Sequence, residues 1–160
     1  MRPAEPRDID FMWTMLAETV NWRSSADGVP LAELRDDDRV VRYLDSWARE
    51  GDTGQIVEDE NGEPIAAAWY RLMTVDRPGY GYIDASTPES SIGVRPGSRG
   101  RGVGTVLITT LLQDAADAGI ADVCLSVEGD NPTRRLYERL CFARVGGSGG
   151  AWTMRRSLTA

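Results

Sequence analysis

The chain has 160 residues, with 25 acidic against 18 basic side chains and a formal charge of −7, a length that predicts one domain over residues 1–160 with a sizeable core. There is no histidine and every basic residue is arginine, which excludes a Ser-His-Asp triad, a histidine metal site, a Schiff-base lysine and a Walker lysine. The acidic balance argues against a nucleic-acid partner. With no apolar run near the roughly 18 residues of a membrane span, no secretory signal, and only Cys124 and Cys141, a cytoplasmic protein with reduced thiols and no membrane association is expected.

In chain order, "MRPAEPRDIDFMWTMLAETVNW" reads as an extended start followed by a helix, with Ile9, Trp13, Leu16 and Val20 at helical spacing and Asp8 as its N-cap. "VPLAELRDDDRVVRYLDSWAREG" reads as a helical stretch ending at Gly51, its "RDDDR" run a solvated face. "GQIVEDENGEPIAAAWYRLM" holds two apolar extended runs around Asn61-Gly62, a strong hairpin signal. A turn-rich connection, "TVDRPGYGYIDASTP", leads to the strand "ESSIGV". A glycine-rich turn then feeds a helix whose stripe of Val103, Leu107, Ile108, Leu111, Leu112 and Ala115 runs to Gly119. "IADVCLSVE" reads as a buried strand, "NPTRRLYERL" as a helix capped by Asn131 with Pro132 first, and the remainder as a strand pair around "GSGG". This order predicts an α/β fold: a twisted, mixed and mostly antiparallel sheet with helices on both faces.

The turn "RPGSRGRGVGTVL" asks what approaches its main chain. A strand passing through glycines into a helix N-terminus converges unpaired N–H groups and the helix dipole on one point, which suits phosphate. The dinucleotide pattern G-x-G-x-x-G fails at Thr105, and the P-loop pattern fails at Val103, where it needs lysine. The pattern R/Q-x-x-G-x-G/A is met in full by Arg99-Gly100-Arg101-Gly102-Val103-Gly104. It resembles the pyrophosphate loop of the GNAT N-acetyltransferase superfamily. "NPTRRLYERLCF" is similar to that family's second signature, N-x-x-x-x-x-Y-x-x-x-G-F, through Asn131, Tyr137 and Phe142, with Cys141 where glycine is usual.

The resemblance implies that acetyl-CoA is a co-substrate, with the backbone of Ile92, Gly93 and Val94 along its pantetheine arm. Gly100, Gly102, Val103 and Gly104 would lie at the diphosphate, Thr105 would add a hydroxyl, and Arg99, Arg101 and Arg134 would neutralise charge. Asn131 is either a cofactor contact or a helix cap. Tyr137 would protonate the departing thiolate, against a packing role. Glu89 is the nearest candidate base, although strand alternation sets it on the face opposite its neighbours unless a bulge intervenes; Asp84 is second. Cys141, with no histidine to activate it, reads as packing. Trp22, Tyr80 and Tyr82 are candidates for an acceptor pocket.

The sequence reading is therefore an N-acetyltransferase acting by direct attack of a primary amine, with a main-chain N–H near Val94 polarising the thioester carbonyl and no metal. A non-catalytic acyl-CoA sensor and an O-acyltransferase of the same fold are the alternatives, and both the acceptor and a homodimer stay open.

Overall fold

The computed structural model describes residues 1–23 and 27–159. A strand of only two residues, β1 (Arg2–Pro3), gives way to a 3-10 turn and α1 (Ile9–Val20). Proline at positions 3 and 6 keeps the opening strand short. Asp8 precedes α1, but its carboxylate does not cap the helix: it takes both Nη atoms of Arg2 at 2.8 Å and the Glu5 N–H at 2.7 Å.

The predicted helical stretch to Gly51 is broken. It forms α2 (Leu31–Asp36) and α3 (Asp38–Val41), then turns through Ser46 and Ala48, both at positive φ. Asp37 causes the first break, because its carboxylate accepts the Arg39 N–H at 2.9 Å and the backbone there is extended. The turned segment is fastened by Arg71, fully buried, whose guanidinium reaches Asp52 at 2.5 Å and Asp45 at 3.0 Å.

The hairpin at Asn61-Gly62 forms as predicted, joining β2 (Thr53–Glu58) to β3 (Pro64–Arg71). Next come β4 (Glu89–Val94), α4 (Val103–Asp117), β5 (Asp122–Glu128), α5 (Arg134–Arg139), β6 (Ala143–Ser148) and β7 (Ala151–Ser157). The seven strands make one sheet in the order β1-β2-β3-β4-β5-β7-β6, antiparallel everywhere except between β4 and β5.

Each face of the sheet has its own core. Met12, Met15 and Leu16 of α1, with Leu34, Val40 and Leu44, pack on Ile56, Ala67 and Trp69. Leu107, Ile108, Leu111 and Leu112 of α4, with Tyr137 of α5, pack on Ala66, Ala68, Ile92, Leu125 and Met154. The alternation of strand side chains between these two layers is what the period-2 pattern dictates.

The junction of the parallel pair positions everything that follows. β4 and β5 share a single register pair, Glu89 with Cys124, whereas β3 and β4 share six. Past Glu89 the two strands part, and a cleft of about 1470 Å³ opens between Ser91–Val94 on one side and Ser126–Glu128 on the other.

Candidate active site

The glycine turn lines one end of this cleft. Gly100 and Gly102 sit at φ +72° and +80°, a backbone that side chains with a Cβ resist, and Gly102 delivers the chain into α4. The N–H groups of the first turn of α4 lack helical partners and face outward at the positive end of the helix dipole. Gly100, Gly102, Val103, Gly104 and Thr105 all line the cleft, so the turn is shaped to take an anion.

The three arginines do not share one role. Arg99 lines the cleft but also braces the turn, donating from Nε to the Val94 carbonyl and from Nη2 to Glu18, each at 3.0 Å. Arg101 is exposed and is not among the lining residues. Arg134 is also outside the lining: it donates to the Gly129 carbonyl at 2.8 Å and to Glu138 at 2.5 Å, with its guanidinium over the Trp152 ring. Trp152 lies on β7, two strands from β4, and its ring draws this arginine away from the turn.

Along β4, Arg95 N–H donates to Ile65 O at 2.9 Å, which puts the odd-numbered positions of the strand in the hydrogen-bonded pairs with β3. The main-chain groups of Ser90, Ile92 and Val94 therefore face the cleft. The Ile92 and Val94 carbonyls are occupied, by the Thr19 hydroxyl at 2.7 Å and by Arg99. The Ile92 and Val94 N–H groups on that edge are placed to receive an extended ligand as an added strand. Gly93 has a packing role instead, since a Cβ there would lie 2.5 Å from the Met15 carbonyl of α1.

Tyr137 lines the cleft from the α4 layer, its ring buried edge-on against Phe142 at 5.8 Å. Burial pushes its hydroxyl well above the usual tyrosine value, so it holds its proton at neutral pH. Asn131 caps the turn before α5, its Oδ1 accepting the Thr133 N–H at 2.9 Å, and it also lines the cleft. The helix proper begins at Arg134, two residues later than the sequence pattern predicts, because residues 131–133 form a tight turn first.

Glu89 enters from the opposite layer. β4 carries no bulge, so alternation sets Glu89 on the α1 face while Ile92 and Val94 face α4. The parting of β4 and β5 resolves the difficulty, because the cleft is open to both faces and both Glu89 and Tyr137 line it. The Glu89 side chain is 2% exposed; Oε1 accepts the Tyr43 hydroxyl at 2.6 Å and the Gly81 N–H at 2.9 Å, and Oε2 has no partner. Burial raises the carboxyl from 4.5 to about 7, against the pull of Tyr43 and Gly81 in the other direction.

Gly79 and Gly81 let a loop wrap this carboxylate. A Cβ on Gly79 would meet Glu89 Oε2, and one on Gly81 would lie 2.5 Å from the backbone of Leu125. Sequence reading treated "PGYGY" as a connection and missed Tyr43 altogether. Its legible signal was two glycines flanking a tyrosine, a pattern of close approach. Trp22 and Tyr80 line the cleft as expected, but Tyr82 packs against the α1-side core. Asp84 is exposed and bonded to Ser86, whose hydroxyl and N–H lower its carboxyl, and it does not reach the cleft.

Comparison with known proteins agrees with this geometry. The profile of the Acetyltransferase (GNAT) family matches residues 16–142. YwnH of Bacillus subtilis (strain 168), named provisionally as a phosphinothricin acetyltransferase, is 32% identical over 149 residues, covering 91% of this chain and 85% of that protein. The mycothiol acetyltransferase of Mycobacteroides abscessus is 40% identical over 139 residues, covering 86% of this chain but only 43% of that longer protein. A crystal structure described provisionally as a phosphinothricin N-acetyltransferase superposes with a TM-score of 0.72 at 26% identity, covering 99% of this chain and 98% of the other. A Sinorhizobium meliloti phosphinothricin acetyltransferase in complex with acetyl-CoA shares the fold at a TM-score of 0.66 and 22% identity, over 98% and 86% of the two chains. The turn, the parted strands and the match over residues 16–142 lead to one conclusion: the chain belongs to the GNAT acetyltransferase family.

Proposed function

We propose that the protein transfers the acetyl group of acetyl-CoA to the primary amine of a small molecule by direct attack on the thioester. The observation that carries this reading is the Glu89 carboxyl, buried with one oxygen unpartnered where β4 and β5 part. A module that only bound CoA would gain nothing from a desolvated acid, which weakens the fold, whereas an amine acetyltransferase needs a base that titrates near neutrality.

In this reading the turn before α4 and the β4 edge hold the donor, and the Val94 N–H polarises the thioester carbonyl. Glu89 takes a proton from the attacking amine, directly or through one water. Nitrogen–carbon bond formation gives a tetrahedral intermediate, its collapse expels the CoA thiolate, and Tyr137 protonates that thiolate. Holding both partners in one cleft supplies much of the acceleration. Tyr43 and Tyr80 wall the cleft beside Glu89 and Trp22 lines it elsewhere, which suits a small acceptor, and the names of the relatives above point the same way. The acetyl-CoA donor and two unpaired thiols suit a cytoplasmic setting.

The reading is tested by calorimetry with acetyl-CoA and then by free-thiol release across a panel of primary amines. Acceptor-dependent thiol release is expected. Tight acetyl-CoA binding with no release above background for any amine would replace it with the sensor reading.

A further inference from the structure

Glu89 is held at one oxygen only. The Tyr43 hydroxyl donates to Oε1 at 2.6 Å, and the same hydroxyl oxygen accepts the Tyr80 N–H at 2.7 Å. A phenol has a single proton, so the bond from Tyr80 directs that proton to Glu89. Tyr43 has little freedom to turn away: its carbonyl accepts the Trp69 indole N–H at 3.1 Å and its ring stacks on Tyr80 at 6.3 Å. With Gly81 N–H also on Oε1, both donors converge on one atom, and Oε2 is left bare against Gly79.

We propose that Tyr43 is a positioning residue for acetyl transfer: its hydroxyl occupies Oε1, leaves Oε2 as the oxygen that receives the acceptor's proton, and sets the pH at which Glu89 becomes a working base. The proposal rests on Glu89 acting as the base. As the amine nitrogen bonds to the acetyl carbon, its N–H proton passes to Oε2, directly or through one water. Glu89 becomes a neutral acid and returns that proton to solvent after product leaves. Tyr43 keeps its own proton throughout, because burial and the neighbouring carboxylate raise it well above the usual tyrosine value.

The other groups around Glu89 do not take over this task. Arg71 of β3 is its register partner, but the guanidinium is directed to Asp45 and Asp52. Cys124 of β5 directs its thiol to the Thr87 and Pro88 carbonyls, and burial raises that thiol so that it stays neutral. Tyr80 contributes its main-chain N–H, and its ring is exposed. Among the described residues, Tyr43 and Gly81 are the donors that favour the ionised carboxylate.

The test is Tyr43→Phe, read in two ways: a carbon-13 titration of glutamate carboxyls, with Glu89 assigned by its loss in Glu89→Gln, and the pH profile of acetyl transfer to the best acceptor of the amine panel. Removing the hydroxyl withdraws support from the anion, so the Glu89 titration and the acidic limb should both move upward by roughly one pH unit, with most of the rate recovered above the limb. Incorporating 3,5-difluorotyrosine at position 43, a stronger donor that keeps the ring, should move both downward. A rate lowered equally at every pH with the limb unmoved in both variants would mean that Tyr43 only packs, and would overturn the proposal. A Glu89→Gln enzyme with wild-type rates is a separate result, removing Glu89 as base and the proposal with it.

Discussion

The Phe142 N–H donates to the Tyr137 carbonyl at 3.0 Å while the two rings meet edge to face, so the end of α5 is closed by a Schellman motif. Its companion bond, Cys141 N–H to Glu138 O at 3.0 Å, turns the chain through Cys141 at φ +63°. The motif sets the position of Tyr137 in the cleft through the residue behind it. Left-handed geometry costs a residue with a Cβ about 1–2 kcal/mol, partly offset because glycine loses more chain entropy on folding. Cys141→Gly should therefore raise stability by up to about 1 kcal/mol in urea denaturation and leave catalysis unchanged, since the Cys141 thiol is exposed and outside the cleft.

Gly104 separates steric exclusion of ligand from damage to the fold. Its φ is ordinary helix, and a Cβ there would meet Leu136, Ile92 and Val94 at 3.7–3.8 Å, normal contact distances. Gly104→Ala should stabilise the free protein by about 0.5–1 kcal/mol through helix propensity. It should keep acetyl-CoA affinity within a few-fold, since the pattern R/Q-x-x-G-x-G/A admits alanine here. Gly104→Val should instead weaken acetyl-CoA tenfold or more in calorimetry, because its larger branched side chain enters the space assigned to the diphosphate. Unchanged affinity in a folded Gly104→Val protein would place the diphosphate elsewhere.

Tyr137→Phe preserves the ring packing and removes only the hydroxyl. With a true acceptor and saturating acetyl-CoA, turnover should fall by roughly 10² or more while donor affinity moves little, because a general acid acts in the transition state. A decline of only a few-fold would leave Tyr137 as a packing residue.

Glu89 makes stability itself pH dependent. The folded carboxyl titrates near 7 against 4.5 in its ordinary state, so the folded protein holds a proton that the unfolded chain has lost between those values. Stability must therefore decline as pH rises from about 4.5 to 7, and the full cost, up to about 3 kcal/mol, persists above that window. Glu89→Gln removes the charge and should be more stable than wild type at pH 8, with the advantage fading below pH 5. Urea midpoints at a series of pH values check the sign.

The parts of the site that the sequence made legible are those in which residue identity dictates backbone. Gly102 at positive φ, the helix that follows it and the β4 edge can be read from letters because only certain letters allow those conformations. Tyr137 was legible through its fixed spacing from Asn131 and Phe142. Tyr43 was not: it lies 46 positions from Glu89, within a segment whose helical pattern is broken by Asp37 and fastened by Arg71, both effects of tertiary contact. Strand alternation correctly put Glu89 on the face opposite Ile92, yet it could not reveal that the strands part and open both faces to one cleft. Arg134 was misplaced for a similar reason, since its attraction to Trp152 comes from a strand that pairs with β5 only in the folded sheet.

The lone β4–β5 register pair also bears on how the molecule comes apart. Four strands lie on one side of that seam and three on the other, and main-chain bonding across it is confined to the region of Glu89 and Cys124. Away from that point the halves are held by the helices and by side-chain ties such as Arg23 to Glu128 and Asp130 at 2.6 and 2.8 Å. The seam is therefore where sub-global opening should begin, as amide exchange at Ile92 and Val94 faster than in the centre of β3. A donor laid along the β4 edge would occupy the missing positions of the sheet and bridge the two halves. At a hundredfold excess over its dissociation constant it would add about 2.7 kcal/mol to the folded state. In a cell the bound donor thus becomes part of the scaffold, and resistance to proteolysis at the seam should track the supply of acetyl-CoA.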